Sequence, residues 1–137
     1  MASRNFRDLI AWQRAMDFVA ECYRISSRFP PDERYGLTAQ LRRAAVSVPS
    51  NIAEGHGRGH VKSYTNHLWI ANGSLRESET QLLIAERLGY APPDAVQMTL
   101  ELAGEVGRLI TGLRRSLNDD PQSGRSPFRQ PPDGAPG

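Results

Sequence analysis

An all-α fold, an antiparallel up-down-up-down four-helix bundle followed by a disordered C-terminal tail, is predicted by three features of this sequence. Apolar residues recur at alternating three- and four-residue steps in four separate segments. Proline and glycine stand between those segments. The last nineteen residues, 119–137, lose the pattern and become rich in proline and glycine. Residues 1–118 are therefore read as one bundle, with helices at about 8–28, 37–55, 61–88 and 93–118.

In the first helix Leu9, Trp12, Met16, Val19 and Tyr23 step 3-4-3-4, and Ala15 and Cys22 widen the seam. Phe29-Pro30-Pro31 stops it, because proline disfavours helical geometry in the residue before it. The second helix places Leu37, Leu41, Ala44, Ala45, Val48 and Ile52 in one arc. It also contains Pro49, which removes a backbone hydrogen bond and ordinarily costs about 3 kcal/mol inside a helix. Gly55, Gly57 and Gly59 read as a flexible connection. The third helix has the longest register: Val61, Tyr64, Leu68, Ala71, Leu75, Ser78, Leu82 and Ala85, ended by Gly89. The fourth begins near Pro93, a residue tolerated in a first turn. It carries Val96, Thr99, Ala103, Val106, Ile110, Leu113 and Leu117, with Arg114 and Arg115 placed to suit the negative end of the helix dipole.

Each stripe alone would face water, and fully burying one Leu or Val side chain stabilises by roughly 1.5–3 kcal/mol. Short connections force neighbouring helices antiparallel, so the four stripes meet in one core. Some apolar residues fall outside it. Val46 opposes the core arc of the second helix, and Trp69, Ile70, Ile84 and Leu88 lie off the main stripe of the third. These are the candidate contacts of a homo-oligomer.

Composition narrows the function. The chain has 137 residues, 39% apolar and 23% charged, as a soluble globular domain has. No apolar run approaches the ~20 residues that span a bilayer, and the N-terminal stretch lacks the unbroken apolar core of a signal peptide. Cytoplasm is the expected compartment, with no membrane partner. One cysteine, Cys22, cannot form an internal disulfide. No glutamate has a histidine three residues on, so the ligand pairs of a di-iron bundle are missing. His56, His60 and His67 fit no zinc spacing. Gly55-His56-Gly57-Arg58-Gly59 follows a helix rather than a strand and has no Lys-Ser/Thr pair, so it is a poor phosphate loop. No catalytic constellation, metal or cofactor is expected.

Two polar groups remain. Of the 17 basic residues only Lys62 is lysine, and Arg42, Arg43, Arg58, His60 and Lys62 gather in sequence around the second helix and the loop after it. Arginine forks suit phosphate, so these five are the candidate contacts for RNA or DNA. Solvated charges with local salt bridges are the alternative. Gln40, Ser47, Asn51 and Glu54 form a polar stripe beside the apolar arc of the second helix. They can relieve the carbonyl freed by Pro49, bridge two helices, or bind a ligand.

The runs Leu9-x2-Trp12-Gln13, Phe29-Pro30, Tyr35-Gly36-Leu37-x2-Gln40-Leu41-Arg42-Arg43-Ala44, Ser47 through Gly55 and Ile70-Ala71-x-Gly73-Ser74-Leu75 resemble one family. It is the four-helix-bundle family encoded in intervening sequences of bacterial 23S rRNA genes. The match covers about residues 5–118. The resemblance implies an all-α bundle assembled as a ring-like pentamer, with no established enzymatic activity. It also implies kinship with accessory proteins of diversity-generating retroelements, whose basic surface serves nucleic acid. Where the family opens the third helix with a Ser-x-x-Glu-like cap, this chain has His60 and Ser63. At Ser78 it has a hydroxyl in place of a larger apolar group. A non-enzymatic, oligomeric nucleic-acid-binding bundle and a protein-interaction scaffold without a nucleic-acid role are the two functions carried forward.

Overall fold

The computed structural model describes residues 5–119. The predicted disordered tail, 119–137, lies outside the described residues apart from the helical backbone of Asp119. A 3-10 turn, Phe6–Asp8, leads into α1 (Ile10–Ser26). A second 3-10 turn, Pro31–Glu33, precedes α2 (Leu37–Gly57), which is followed by α3 (Val61–Arg87) and α4 (Pro93–Asp119). No strand occurs among the described residues.

The helices form a square in which each packs on its two chain neighbours and α4 closes back on α1. The α2–α3 pairing is the most extensive. Phe18, Leu41, Val48, Ile52, Leu68, Leu75, Leu82, Val96, Val106 and Ile110 fill the centre with no solvent exposure. The predicted arc of α2 is wholly buried, as is the α3 stripe from Leu68 to Ala85. Ser78 is accommodated because its hydroxyl donates to the Ser74 carbonyl at 2.9 Å.

The face predicted for α1 is corrected by the structure. Its buried residues are Ala11, Ala15, Phe18, Cys22 and Ile25, not the series from Leu9 to Tyr23. Leu9, Trp12 and Val19 pack partly against the core, while Met16 and Tyr23 are exposed. Two apolar stripes, offset by one residue and hence about 100° apart, run along this helix. The stripe containing Ala11, Ala15 and Cys22 permits close approach to α2 and α4, so it turns inward. The bulkier stripe is left at the margin.

The helix ends differ in detail from expectation. Gly55 lies inside α2, which continues to Gly57, and it is buried rather than part of a flexible connection. Only Gly59 of the three glycines takes a positive φ, 84°, and Gly89 takes φ 77° just beyond α3, as a helix stop requires. At Gly55 a Cβ would fall 2.7 Å from the His67 Cβ and 3.3 Å from the Tyr64 carbonyl oxygen, so α2 and α3 nearly touch there. Because α4 continues to Asp119, Arg114 and Arg115 lie one turn before its end.

The Pro-rich turn between α1 and α2 is held by Glu33. One carboxylate oxygen accepts the Leu37 amide at 2.9 Å, serving the first turn of α2 where Gly36 has no side chain to do so. The other accepts the Tyr90 hydroxyl at 2.9 Å, and Tyr90 also packs its ring on Phe29. The amide first, and then the tyrosine, hold the Glu33 carboxyl below its usual range.

Two expected outcomes follow. Gly55→Ala lowers stability by about 1–3 kcal/mol through overpacking, although alanine favours a helix intrinsically. Gly73→Ala, on an exposed surface of α3 where a Cβ meets nothing within 4 Å, raises stability by up to about 1 kcal/mol. Urea unfolding of the two variants checks the opposite signs.

The Glu33 carboxyl has a lowered folded value. Its stabilising contribution is therefore complete above the unfolded glutamate value of about 4.3, and is lost as pH falls through the folded value. Thermal melts should show Glu33→Gln less stable than the parent near neutrality. The difference should shrink toward acid, and a gap that is constant with pH would contradict the assignment.

Candidate functional site

The polar stripe of α2 meets α3. Ser47 and Ser74 hydroxyls share a hydrogen bond of 2.8 Å across the helix pair. The Asn51 amide donates to the Ser47 carbonyl at 2.9 Å and to its hydroxyl at 3.0 Å. Ser50 donates to the Val46 carbonyl at 2.8 Å. The carbonyls served are thus those of Val46 and Ser47, next to the Ala45 carbonyl that Pro49 leaves without its amide partner. Further along, Glu54 accepts from Arg58 at 2.8 Å and lies 3.5 Å from the His67 ring, which is held at 2.9 Å from the Ser63 carbonyl. The Arg58 hydrogen bond, and then the His67 field, keep the Glu54 carboxyl below its usual range. Ser47, Asn51 and Glu54 therefore tie α2 to α3 or to the α2 terminus, while Gln40 is exposed and apart from them.

The five basic candidates are not brought to one place. Arg43 and Arg58 are fifteen residues apart on one helix, about 22 Å along its axis. Arg42 is drawn inward. Its guanidinium lies 4.5 Å over the Tyr23 ring and donates to the buried Ser26 hydroxyl at 2.9 Å. Arg58 is paired with Glu54, and the His60 ring accepts the Ser63 amide at 3.5 Å, a long cap for α3. Arg43 and Lys62 are exposed and make no ion pair within the chain. The sequence cluster separates because the five positions span the length of α2 and the turn beyond it.

A basic surface of a different origin lies between α3 and α4. Arg76, Arg108 and Arg115 line an open groove of about 530 Å³ together with Gly104, Gly107, Thr111 and Gly112. No carboxylate lines it. Arg76 also reaches Glu79 at 2.6 Å, whereas Arg108 and Arg115 are exposed and make no ion pair among the described residues. The nearest acid along α4, Glu105, is turned to α1 instead. There Arg14 gives it two hydrogen bonds, of 3.0 and 2.9 Å, which hold its carboxyl below the usual range. These residues were legible only as a helical spacing: Gly104, Arg108, Thr111 and Arg115 recur at steps of four, three and four.

Two apolar surfaces remain uncovered. Between α1 and α2, Trp12, Met16, Val19, Val46, Pro49 and Ala53 form a groove of about 360 Å³ that includes only one polar side chain, Ser50. On α3, Trp69, Ile70, Leu83, Ile84 and Leu88 are 42–54% exposed. The Arg114 guanidinium from α4 stacks 4.0 Å over Trp69, which places that indole on the α3–α4 side of the square, across from the α1–α2 groove. The predicted oligomer residues are thus divided. Val46 belongs to the groove and Trp69 to the α3–α4 side, while Ile70, Ile84 and Leu88 lie about 60–100° further round α3, on the flank nearer α2.

Burial, and secondarily Glu21, push the Cys22 thiol up to about 12, leaving it protonated and inert. Among the described residues, no group of three or more His, Cys, Asp or Glu side chains is disposed to hold a metal ion. No helix among them is long and apolar enough to cross a membrane.

Comparison with known proteins is consistent with this architecture. A family model described as 23S rRNA-intervening sequence protein matches residues 7–112. The chain is similar to a crystal structure of a protein of unknown function from the S23 ribosomal protein family of Bacteroides thetaiotaomicron VPI-5482. That similarity has a TM-score of 0.70 at 17% identity and covers 77% of this chain and 99% of the other. It shows the shared fold. No curated protein matches the chain.

Proposed function

The chain belongs to the 23S rRNA-intervening sequence protein family, and we propose that it works there as a non-enzymatic scaffold whose copies join into a ring. The observation that carries this reading is the apolar groove between α1 and α2. Trp12, Met16 and Val19 lie on the stripe that the core rejected, and Val46, Pro49 and Ala53 face them from α2. A second exposed apolar surface, at Trp69, lies on the other side of the bundle. Two different faces suit a head-to-tail contact, and such contacts close into rings when the rotation allows. A pentamer is the form the family resemblance implies.

The energetics favour several residues acting together. Burying one large apolar side chain yields roughly 1.5–3 kcal/mol, and less where half is already covered. Association costs an estimated 4–15 kcal/mol in lost freedom. Only a patch of the extent seen on both faces overcomes that cost.

Binding of RNA or DNA is the second reading, with an interaction scaffold devoid of nucleic acid as its alternative. It draws support from the preponderance of arginine among the basic residues and from the exposed, unpaired Arg43 and Lys62. Kinship with the accessory proteins of diversity-generating retroelements goes with this second reading.

Light scattering across a concentration series tests the scaffold. The expected mass is several times that of the chain, and five times for the proposed ring. Met16→Glu/Val46→Glu, two substitutions on exposed positions of the groove, should give the monomer mass with unchanged helical circular dichroism. A parent protein that stays monomeric at every concentration sinks the proposal.

A further inference from the structure

We propose that the groove between α3 and α4 binds the phosphodiester backbone of one nucleic-acid strand, with Arg108 and Arg115 as its principal contacts and Arg76 at its far wall. The inference rests on the nucleic-acid reading above and gives it a site different from the residues around α2. Three features of the groove carry it.

The first is charge. Three guanidinium groups face one space whose lining holds no carboxylate. Glu105, the acid that would oppose Arg108 from the preceding turn of the same helix, is occupied by Arg14 on the α1 side. Arg108 acts on Glu105 only as a nearby charge, and Arg108 and Arg115 give no donor to a carboxylate among the described residues, so both can serve an outside acceptor; planar guanidinium forks match phosphate oxygens in pairs. Arg76 shares its charge with Glu79 and contributes less.

The second is shape. Gly112 is exposed and a Cβ there would meet nothing within 4 Å, so an incoming group can approach α4 closely at that point, while the Arg108 guanidinium lies over Gly104. At Gly107 an added Cβ would lie 3.4 Å from Leu75 and 3.6 Å from the Arg76 guanidinium, showing how narrow the floor is. Arg108 and Arg115 are seven residues apart, about 10 Å along α4, and so reach separate phosphates of an extended strand.

The third is the nature of the lining. No aromatic ring lies in it, so bases have nothing to stack on, and Thr111 adds a hydroxyl donor. A site of this kind reads backbone rather than sequence.

The test uses the full chain and fluorescently labelled single strands of mixed sequence, as RNA and as DNA, titrated at several salt concentrations. Binding is expected to weaken with salt, at about 0.7 in log–log slope for each phosphate contacted. Arg108→Gln/Arg115→Gln should weaken binding at least about tenfold and lower the slope by about 1.4, while Arg34→Gln/Arg87→Gln, at two exposed arginines outside the groove, leaves the slope in place. Circular dichroism and light scattering on each variant establish that fold and mass are those of the parent. If Arg108→Gln/Arg115→Gln misfolds, the single variants Arg108→Gln and Arg115→Gln carry the same comparison, each lowering the slope by about 0.7.

Strand binding that is indifferent to Arg108 and Arg115 overturns this groove and leaves the nucleic-acid reading standing. No binding by the parent even at the lowest salt overturns both. Inorganic polyphosphate, which offers phosphate without sugar or base, is the competitor. Displacement of the strand by it, weakened in Arg108→Gln/Arg115→Gln, supports a phosphate site in this groove, and a strand that polyphosphate fails to displace at any concentration overturns it. Equal affinity for RNA and DNA is the expected result of a backbone site, whereas strict preference for one would require a 2′-hydroxyl contact that this lining was not assigned, and would overturn the backbone-only account.

Discussion

The close approach of α2 and α3 is the constraint on which the rest of the bundle depends. Gly55 leaves no room for a Cβ against His67 and Tyr64, and Ala44, Ala45 and Ala71 keep the buried surface shallow. At that separation Ser47 and Ser74 are within hydrogen-bond reach, and the Asn51 amide adds a second bond to the Ser47 hydroxyl. Pro49 is tolerated in the same segment. Its ring is buried beside the α1 groove, and the carbonyls on the next turn gain side-chain donors from Ser50 and Asn51. With α2 and α3 held in this way, α1 and α4 complete the square from the two free sides.

Charge is spent within the chain to a degree that shapes the outer surface. Arg14 fastens α1 to α4 through Glu105, Arg42 caps the end of α1 through Ser26 and Tyr23, and Arg58 is taken by Glu54. Such exposed pairs add little stability individually. Their consequence lies in which arginines they leave over. With Glu105 hydrogen-bonded to α1, Arg108 and Arg115 line a groove that no carboxylate enters. Arg114 goes to neither, since it covers the Trp69 face.

Helix positions were legible because proline and glycine interrupt strong apolar periodicity, and local backbone chemistry decides both signals. The arcs of α2 and α3 were legible for a related reason: each has one dominant apolar face. The face of α1 was not, because two apolar stripes sit one residue apart and periodicity ranks them by hydrophobic bulk. Packing ranks them by fit, and the smaller stripe won. The basic candidates failed to converge for a geometric reason. Neighbours in sequence around α2 are distributed along about 22 Å of helix, while Arg76 and Arg108, thirty-two positions apart, share one groove.

From the sequence alone came the fold class, the four helices, most of the core, the family resemblance and the expectation of leftover apolar surface, all of which follow from interactions within a few turns of one helix. The tertiary structure decided which α1 stripe faces inward, which carboxylates neutralise which arginines, and where the remaining charge and apolar area collect. Those outcomes depend on distances between residues of different helices. Periodicity fixes the direction of a side chain around its own axis, and only packing fixes what it meets there.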